Sequence, residues 1–388
     1  MATIKFNEKK GYYEVRYDAG FDGNGKRIQK YKGGFKKERD AKLFAAQLTV
    51  NISQGTHIEP NKMFLFEYLN NWLEEKKETI SPTSYCGYEV NIRCHINPYI
   101  GGIKLSDLRA AHIRGLYSKL QKAREIKIDG EKRSFKPLSG TSIRYVHRVL
   151  SKALEDAYRE ETIPKNPAKL VTPPTKNKFE AGFLSTKQIR EMLDKLREDA
   201  LYMPVYLSVV LGARRGEVLG LQWSDVDMEN KLIHIRHNLI MDNGNPVLRE
   251  KTKTDSSNRV IVVTDRLIKA LKEHKLKLKQ KEMKLQHGQL YHKSDFVCTW
   301  PDGKPFNPSH LSRSFSLRLQ KYGLPNIRFH DLRHSNAALM IAQNVPMKGA
   351  SDRLGHSTIQ ITNDLYGHTE RSVQEEIAIK IDQAIWGS

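Results

Sequence analysis

The spacing of apolar positions changes along the chain. In Gly11-Tyr-Tyr-Glu-Val-Arg-Tyr17 and Lys26-Arg-Ile-Gln-Lys-Tyr-Lys32, apolar and polar residues alternate. Between them lies Asp22-Gly-Asn-Gly25, so the two runs predict a hairpin. Lys37 to Leu48 then takes helical spacing. Farther on, Phe64 to Leu73 is amphipathic, and Pro82-Thr-Ser-Tyr85 opens a helix with Thr83 or Ser84 near its cap. That helix is expected to run to about Ile96, before Pro98 and Gly101-Gly102. Leu105 to His112 opens a third, with Ser106 or Asp107 as cap. A basic loop around Asp129-Gly130 precedes Ser139 to Leu154. There Ile143, Val146, Val149, Leu150, Ala153 and Leu154 form an apolar stripe, while Arg144, Arg148 and Lys152 recur every four residues on another face.

Beyond residue 168 the periodicity stops. Pro173-Pro174-Thr-Lys-Asn-Lys178 has no apolar repeat and reads as a linker. Helical spacing returns at Thr186 to Leu193, with Ser185 as cap, and again at Pro204 to Leu211, which ends at Gly212. Lys231 to Arg236 and Asn258 to Val263 read as strands, Asp242-Asn-Gly244 as a turn, and helices dominate afterwards. The expected organisation is a segment over 1–58, a helical segment over 62–168, a linker over 169–182 and a mixed segment over 183–388. The whole is multidomain, mainly α with small β-sheets.

Composition narrows the function. The chain has 388 residues with 65 Lys and Arg against 44 Asp and Glu, a net charge of +21. Such an excess favours a polyanion, because each basic side chain laid on a phosphate releases condensed counterions. The cysteines are Cys86, Cys94 and Cys298, with no Cys-x-x-Cys pair, so neither a zinc ribbon nor a disulfide framework is supported. A reducing cytoplasm is the expected setting. Met1-Ala-Thr-Ile-Lys-Phe has no apolar signal core, and no run of about 18 apolar residues predicts a membrane helix.

The candidate chemistry lies in the last segment. Arg214 and Arg215 sit in Leu211-Gly-Ala-Arg-Arg-Gly-Glu217, His330 and Arg333 in His330-Asp-Leu-Arg333, His356 in Leu354-Gly-His356, and Tyr366 in Asn363-Asp-Leu-Tyr-Gly-His368. Guanidinium groups match phosphate oxygens in bidentate fashion and stay charged. Histidine exchanges protons near neutral pH. A tyrosine with an ordinary pKa near about 10 needs cations around it to act as a nucleophile. Glu217, one turn beyond the arginines, is placed to orient one of them by a salt bridge. His330 and His334 are four apart, but Asp331 stands where the zinc-protease pattern needs Glu, and no third ligand suggests itself. No metal or other cofactor is therefore expected.

Taken in this order, with Tyr366 ten residues after His356, the motifs resemble those of the tyrosine recombinases, in particular the integrases of phages and conjugative transposons. The resemblance spans nearly the whole chain in three segments. It implies an arm-type DNA-binding domain of three strands and a helix, a helical core-binding (SAM-like) domain, and a mixed α/β catalytic domain. The family pattern Gly-x-Arg selects Arg214 over Arg215. Arg214 and Arg333 would clamp the scissile phosphate, His330 would activate the nucleophile Tyr366, and His356 would bind a non-bridging oxygen. Lys251-Thr-Lys-Thr-Asp-Ser-Ser-Asn-Arg259 is similar to the family's catalytic hairpin. That likeness points to Lys253 as general acid, with Lys251 as the competing position. Gly349-Ala-Ser-Asp-Arg353 departs from the family, where bulkier residues are usual, and is expected to loosen helix packing locally.

The implied activity is site-specific recombination of double-stranded DNA at attachment sites of a mobile element. It proceeds through a 3′-phosphotyrosine and a Holliday junction, without metal or ATP. DNA contacts are expected from Arg16, Lys30 and Lys32 in the first segment and from Arg144, Arg148 and Lys152 in the second. Val373, Ile377, Ile381 and Ile385 make one apolar face. Such a face suits folding back onto its own domain, while the same resemblance implies docking on a neighbouring protomer in a homotetramer, with an excision factor and a host DNA-bending protein as accessory partners. The competing readings are relaxation of supercoils by a type IB topoisomerase and a DNA-binding protein without catalysis.

Overall fold

The computed structural model describes residues 2–21, 26–53, 62–128, 130–176, 182–242, 244–250, 258–285 and 291–355. The turn at 22–25 lies outside them. The chain forms two compact units, 1–178 and 179–388.

The first unit opens with β1 (Thr3–Asn7), β2 (Tyr12–Phe21) and β3 (Arg27–Phe35), an antiparallel sheet in chain order. Helix α1 (Glu38–Ser53) packs on one face through Ala41 and Ala45 against Val15, with Ile4, Tyr13 and Phe35 around them. Strand alternation decides which residues share that face. Lys32 pairs with Val15 and Lys30 with Tyr17, so both lysines fall on the helix side. The Lys32 ammonium lies 4.8 Å from the Phe44 ring centre. Arg16 pairs with Tyr31 and Thr3 on the open face.

A separate core holds the helices. Helix α2 (Leu65–Lys76) buries Leu65, Leu69 and Trp72. Helix α3 (Pro82–Asn91) is capped by Ser81, whose hydroxyl accepts from Ser84 N at 3.3 Å, and not by Thr83 or Ser84. Pro82 prefers the first helical position, which makes the residue before it the cap. The helix does not stop at Ile96. A widened turn over Ile92–Ile96, in which Asn97 N donates to Ile92 O, leads into α4 (Asn97–Ile100). The extra residue puts Pro98 in the first turn of a new helix, where its missing N–H costs nothing.

Helix α5 (Ala110–Leu120) starts later than expected. Residues Leu105–Asp107 form a tight turn, and Leu108 and Arg109 are extended. The cap position is thus Arg109, not Ser106 or Asp107. The region expected as a basic loop is a hairpin, β4 (Arg124–Ile128) paired with β5 (Glu131–Phe135). In the sequence, the dipeptide Asp129-Gly130 between alternating residues is a hairpin signal. Ser139 caps α6 (Gly140–Arg159), and every residue of the expected apolar stripe is fully buried. Each large aliphatic side chain there contributes about 1.5–3 kcal/mol.

The second unit begins with α7 (Thr186–Leu196), capped by Ser185, and α8 (Tyr202–Leu211), closed by left-handed Gly212. Helix α9 (Arg215–Gly220) follows. A sheet of order β10-β7-β6 contains β6 (Val226–Asp227), β7 (Leu232–Ile235) and β10 (Arg259–Val262). A hairpin of β8 (His237–Asp242) and β9 (Asn245–Glu250) packs on α9. Helices α10 (Asp265–Leu285), α11 (Pro308–Lys321), α12 (Asp331–Ala342) and α13 (Met347–Leu354) complete the described part. The segment expected to pack loosely forms α13, with Ala350, Ser351 and Leu354 buried. None of the described helices is long and apolar enough to cross a membrane.

Candidate active site

The site is built where α8, α9, α12, α13 and β10 meet. Gly212 turns the chain out of α8 with φ +62, and a Cβ there would lie 2.4 Å from Asn336 Oδ1. Only glycine fits such a turn without strain. Arg214 follows in extended conformation at the start of α9, where its backbone N–H donates to Glu217 Oε2 at 2.9 Å. Its side chain donates through Nη1 to Glu217 Oε1 at 2.9 Å and through Nη2 to Gly355 O at 2.7 Å. Arg333, buried on α12, donates through Nη1 to Gly212 O and Leu354 O, both at 2.7 Å. Arg259, at the head of β10, donates through Nε to Arg353 O and through Nη2 to Glu217 Oε2, both at 2.8 Å.

Three guanidinium groups therefore take the carbonyls of three successive residues, Arg353, Leu354 and Gly355, at the end of α13. Those oxygens have no partner within the helix, and they form the negative end of its dipole. Cations are the natural groups to meet them. Gly355 adopts φ +69 and donates its own N–H to Ser351 and Asp352. The next residue in the sequence is His356.

His330 precedes α12 and lines a cleft of about 670 Å³ together with Arg214, Arg215, Ser312 and Arg328. Withdrawal of its ring from solvent, with His334, Arg333 and Arg328 nearby, pushes the imidazole down to about 4. The residue keeps an open edge, where water softens that shift. At neutral pH the imidazole is uncharged and free to accept a proton. The His330 and His334 rings meet edge-on, with centres 5.0 Å apart. Arg215 is half-buried and donates to Ser312 Oγ at 2.7 Å.

The structure thus brings Arg214, Glu217, His330 and Arg333 together. Lys253 with its competitor Lys251, His356, Tyr366 and the apolar face at 373–385 lie outside the described residues. Arg259 is the last residue of the hairpin motif, and nothing in the spacing assigns it a role. In the first unit, Arg144, Arg148 and Lys152 line one shallow cleft with Arg159, Lys169 and Lys176. There Arg144 donates to Pro174 O at 2.6 Å. The Arg148 and Lys152 cations sit 5.8 and 5.6 Å from the ring centres of Tyr145 and Tyr88.

Three family models match the chain in succession. The Arm DNA-binding domain covers residues 3–52, the N-terminal SAM-like domain of phage integrases 64–121, and the Phage integrase family 182–372. A relative named Tyrosine recombinase XerC-like, from Caldanaerobacter subterraneus subsp. tengcongensis, is 30% identical over 379 residues, covering 92% of this chain and 93% of its own. Among solved structures, the Tn1549 transposon integrase in complex with a circular intermediate DNA is similar with a TM-score of 0.66 at 18% identity, over 81% of this chain and 99% of that one. The lambda integrase tetramer bound to a Holliday junction has a TM-score of 0.56 at 17% identity, over 93% and 94%. With a relative matching at that identity over nearly its full length, the chain belongs to the phage integrase family of tyrosine recombinases, the DNA strand transferases that carry out site-specific recombination.

Proposed function

We propose that this recombinase integrates and excises a mobile element through Tyr366. The phenol oxygen attacks the scissile phosphorus and forms a 3′-phosphotyrosine, while the 5′ oxygen leaves and takes a proton from Lys253. His330, uncharged at neutral pH, receives the tyrosine proton. Arg214 and Arg333, with His356, hold the non-bridging oxygens as negative charge builds on them. The freed 5′-hydroxyl of one duplex then attacks the phosphotyrosine of the other. Two such exchanges pass through a Holliday junction. The covalent link conserves the bond energy, so the scheme calls for neither ATP nor a metal.

The observation that carries this reading is the convergence of Arg214 and Arg333 on the end of α13, next to His330 and one residue before His356. With it we assign an arm domain over 1–58, a core-binding domain over 62–168, a linker over 169–182 and a catalytic domain over 183–388. The solved relatives are bound to DNA, one as a tetramer on a Holliday junction. By analogy we assign double-stranded DNA and a cytoplasmic homotetramer here, joined through the face at 373–385, with an excision factor and a DNA-bending protein as accessories. In the arm domain, Arg16 with Tyr31 on the open face is better placed for DNA than Lys30 or Lys32.

The test is a suicide substrate nicked near the attachment core, incubated in EDTA with wild type and with Tyr366→Phe. A covalent protein–DNA band from wild type alone is expected. A band from both would mean another tyrosine attacks. A band from neither, on DNA that both bind, would favour the non-catalytic reading. Strand joining between two duplexes, against relaxation of a plasmid alone, separates a recombinase from a topoisomerase.

A further inference from the structure

We infer that Arg259 is a positioning residue for the strand-cleavage reaction, acting through Arg214 and the end of α13. The inference rests on the roles proposed above for Arg214 and His356. Arg259 opens β10 six residues after Lys253 in the sequence. Strand alternation sends it to the same side as buried Ile261, while Val260 and Val262 on the other side are exposed. Its side chain is 8% exposed and that of Glu217 1%, so their ion pair is shielded from water. Glu217 Oε2 receives both the Arg259 guanidinium and the Arg214 backbone N–H, and Oε1 receives the Arg214 side chain.

The same guanidinium also sets the chain leading to His356. Nε donates to Arg353 O, and the group packs close to Gly355. A Cβ added at Gly355 would come within 2.9 Å of Arg259 Nη1 and 3.3 Å of its Cδ. One side chain thereby links three elements that the backbone does not connect directly: the strand following the Lys253 segment, the start of α9, and the end of α13. Arginine suits this because its rigid fork spreads donors over separate nitrogens at fixed spacing, whereas the lysine ammonium donates from a single nitrogen. If Arg259 is removed, the Glu217 carboxylate that holds Arg214 loses its second arginine, and the carbonyl before Leu354 loses its donor. A displacement of about 1 Å at such a site costs on the order of 100-fold in rate.

The experiment compares wild type, Arg259→Met and Arg259→Lys in single-turnover adduct formation on two suicide substrates. One carries an ordinary scissile phosphate. The other carries a methylphosphonate, which lacks one non-bridging oxygen and its charge. The expected result is DNA binding close to wild type and adduct formation slowed about 100-fold by Arg259→Met on the phosphate. Arg259→Lys should fall between the two. On the methylphosphonate the difference between variant and wild type should shrink to a few-fold, because aiming Arg214 matters less once the charge is gone. Equal slowing on both substrates would reduce Arg259 to a stability residue, and no slowing would overturn the inference outright. Should Arg259→Met fail to fold, Arg259→Lys carries the same comparison. Absence of any wild-type adduct on the phosphate would count against the nucleophile assignment instead.

Discussion

Glu217 shows most clearly what one side chain does here. It is buried and meets Arg214 and Arg259. Replacing it with alanine strands the buried Arg259 charge, a change that costs about 3–5 kcal/mol in such settings. Glu217→Ala should therefore lower the melting temperature and abolish adduct formation. Unchanged melting would mean that water replaces the carboxylate without penalty. His330 makes a second prediction. Because its imidazole is pushed down from the ordinary histidine value of about 6.5, a shift that water at its exposed edge softens, it stays largely neutral as pH falls through that value. Cleavage by wild type should then show no loss at the ordinary histidine value, as read from single-turnover rates against pH. A half-maximal rate near that value, absent from His330→Gln, would show that bound DNA restores the ordinary titration. Arg214, Glu217, His330 and Arg333 were legible because short motifs carry them. The role of Arg259 was not, because its partners lie 42 and 94 positions away and only the fold brings them together.

At the scale of elements, apolar stripes read well, caps read unevenly, and irregular turns did not read. Ser185 and Gly212 were each marked by local chemistry, a hydroxyl before an apolar repeat and a glycine after one, whereas the caps expected at Thr83 or Ser84 and at Ser106 or Asp107 fall at Ser81 and Arg109. The widened turn at Ile92–Ile96 has no such mark, since it arises from packing of Ile92 and Ile96 into the helical core. The β4–β5 hairpin was missed because its charges outweighed its alternation. Two substitutions test the elements themselves. Ser139→Ala removes the acceptor for Ser142 N and should cost about 1 kcal/mol in denaturant unfolding, with cleavage unaffected. Gly212→Ala meets both a left-handed backbone and the Asn336 side chain, so it should cost more than that and also displace the carbonyl that Arg333 holds. A loss no larger than that of Ser139→Ala would mean that α8 and α12 separate easily.

For the molecule as a whole, charge is the governing quantity. With a net charge of +21, DNA binding should weaken steeply and log-linearly with salt. Arg148→Ala should lower the slope of that line by about one if Arg148 meets a phosphate, and leave it unchanged if the cleft it lines faces solvent. The end of α13 has a different consequence. Arg214, Arg259 and Arg333 are held together there, with Arg353 beside them and Glu217 as counter-charge. Like charges at such range repel, and the helix carbonyls answer only part of that repulsion. An anion bound there should offset the rest of that repulsion. Millimolar pyrophosphate, at constant ionic strength, should raise the melting temperature of the catalytic unit, and Arg333→Gln should reduce that gain. Substrate would then act on this enzyme as a folding ligand as well as a reactant, making it most compact and most resistant to proteolysis when its site is filled.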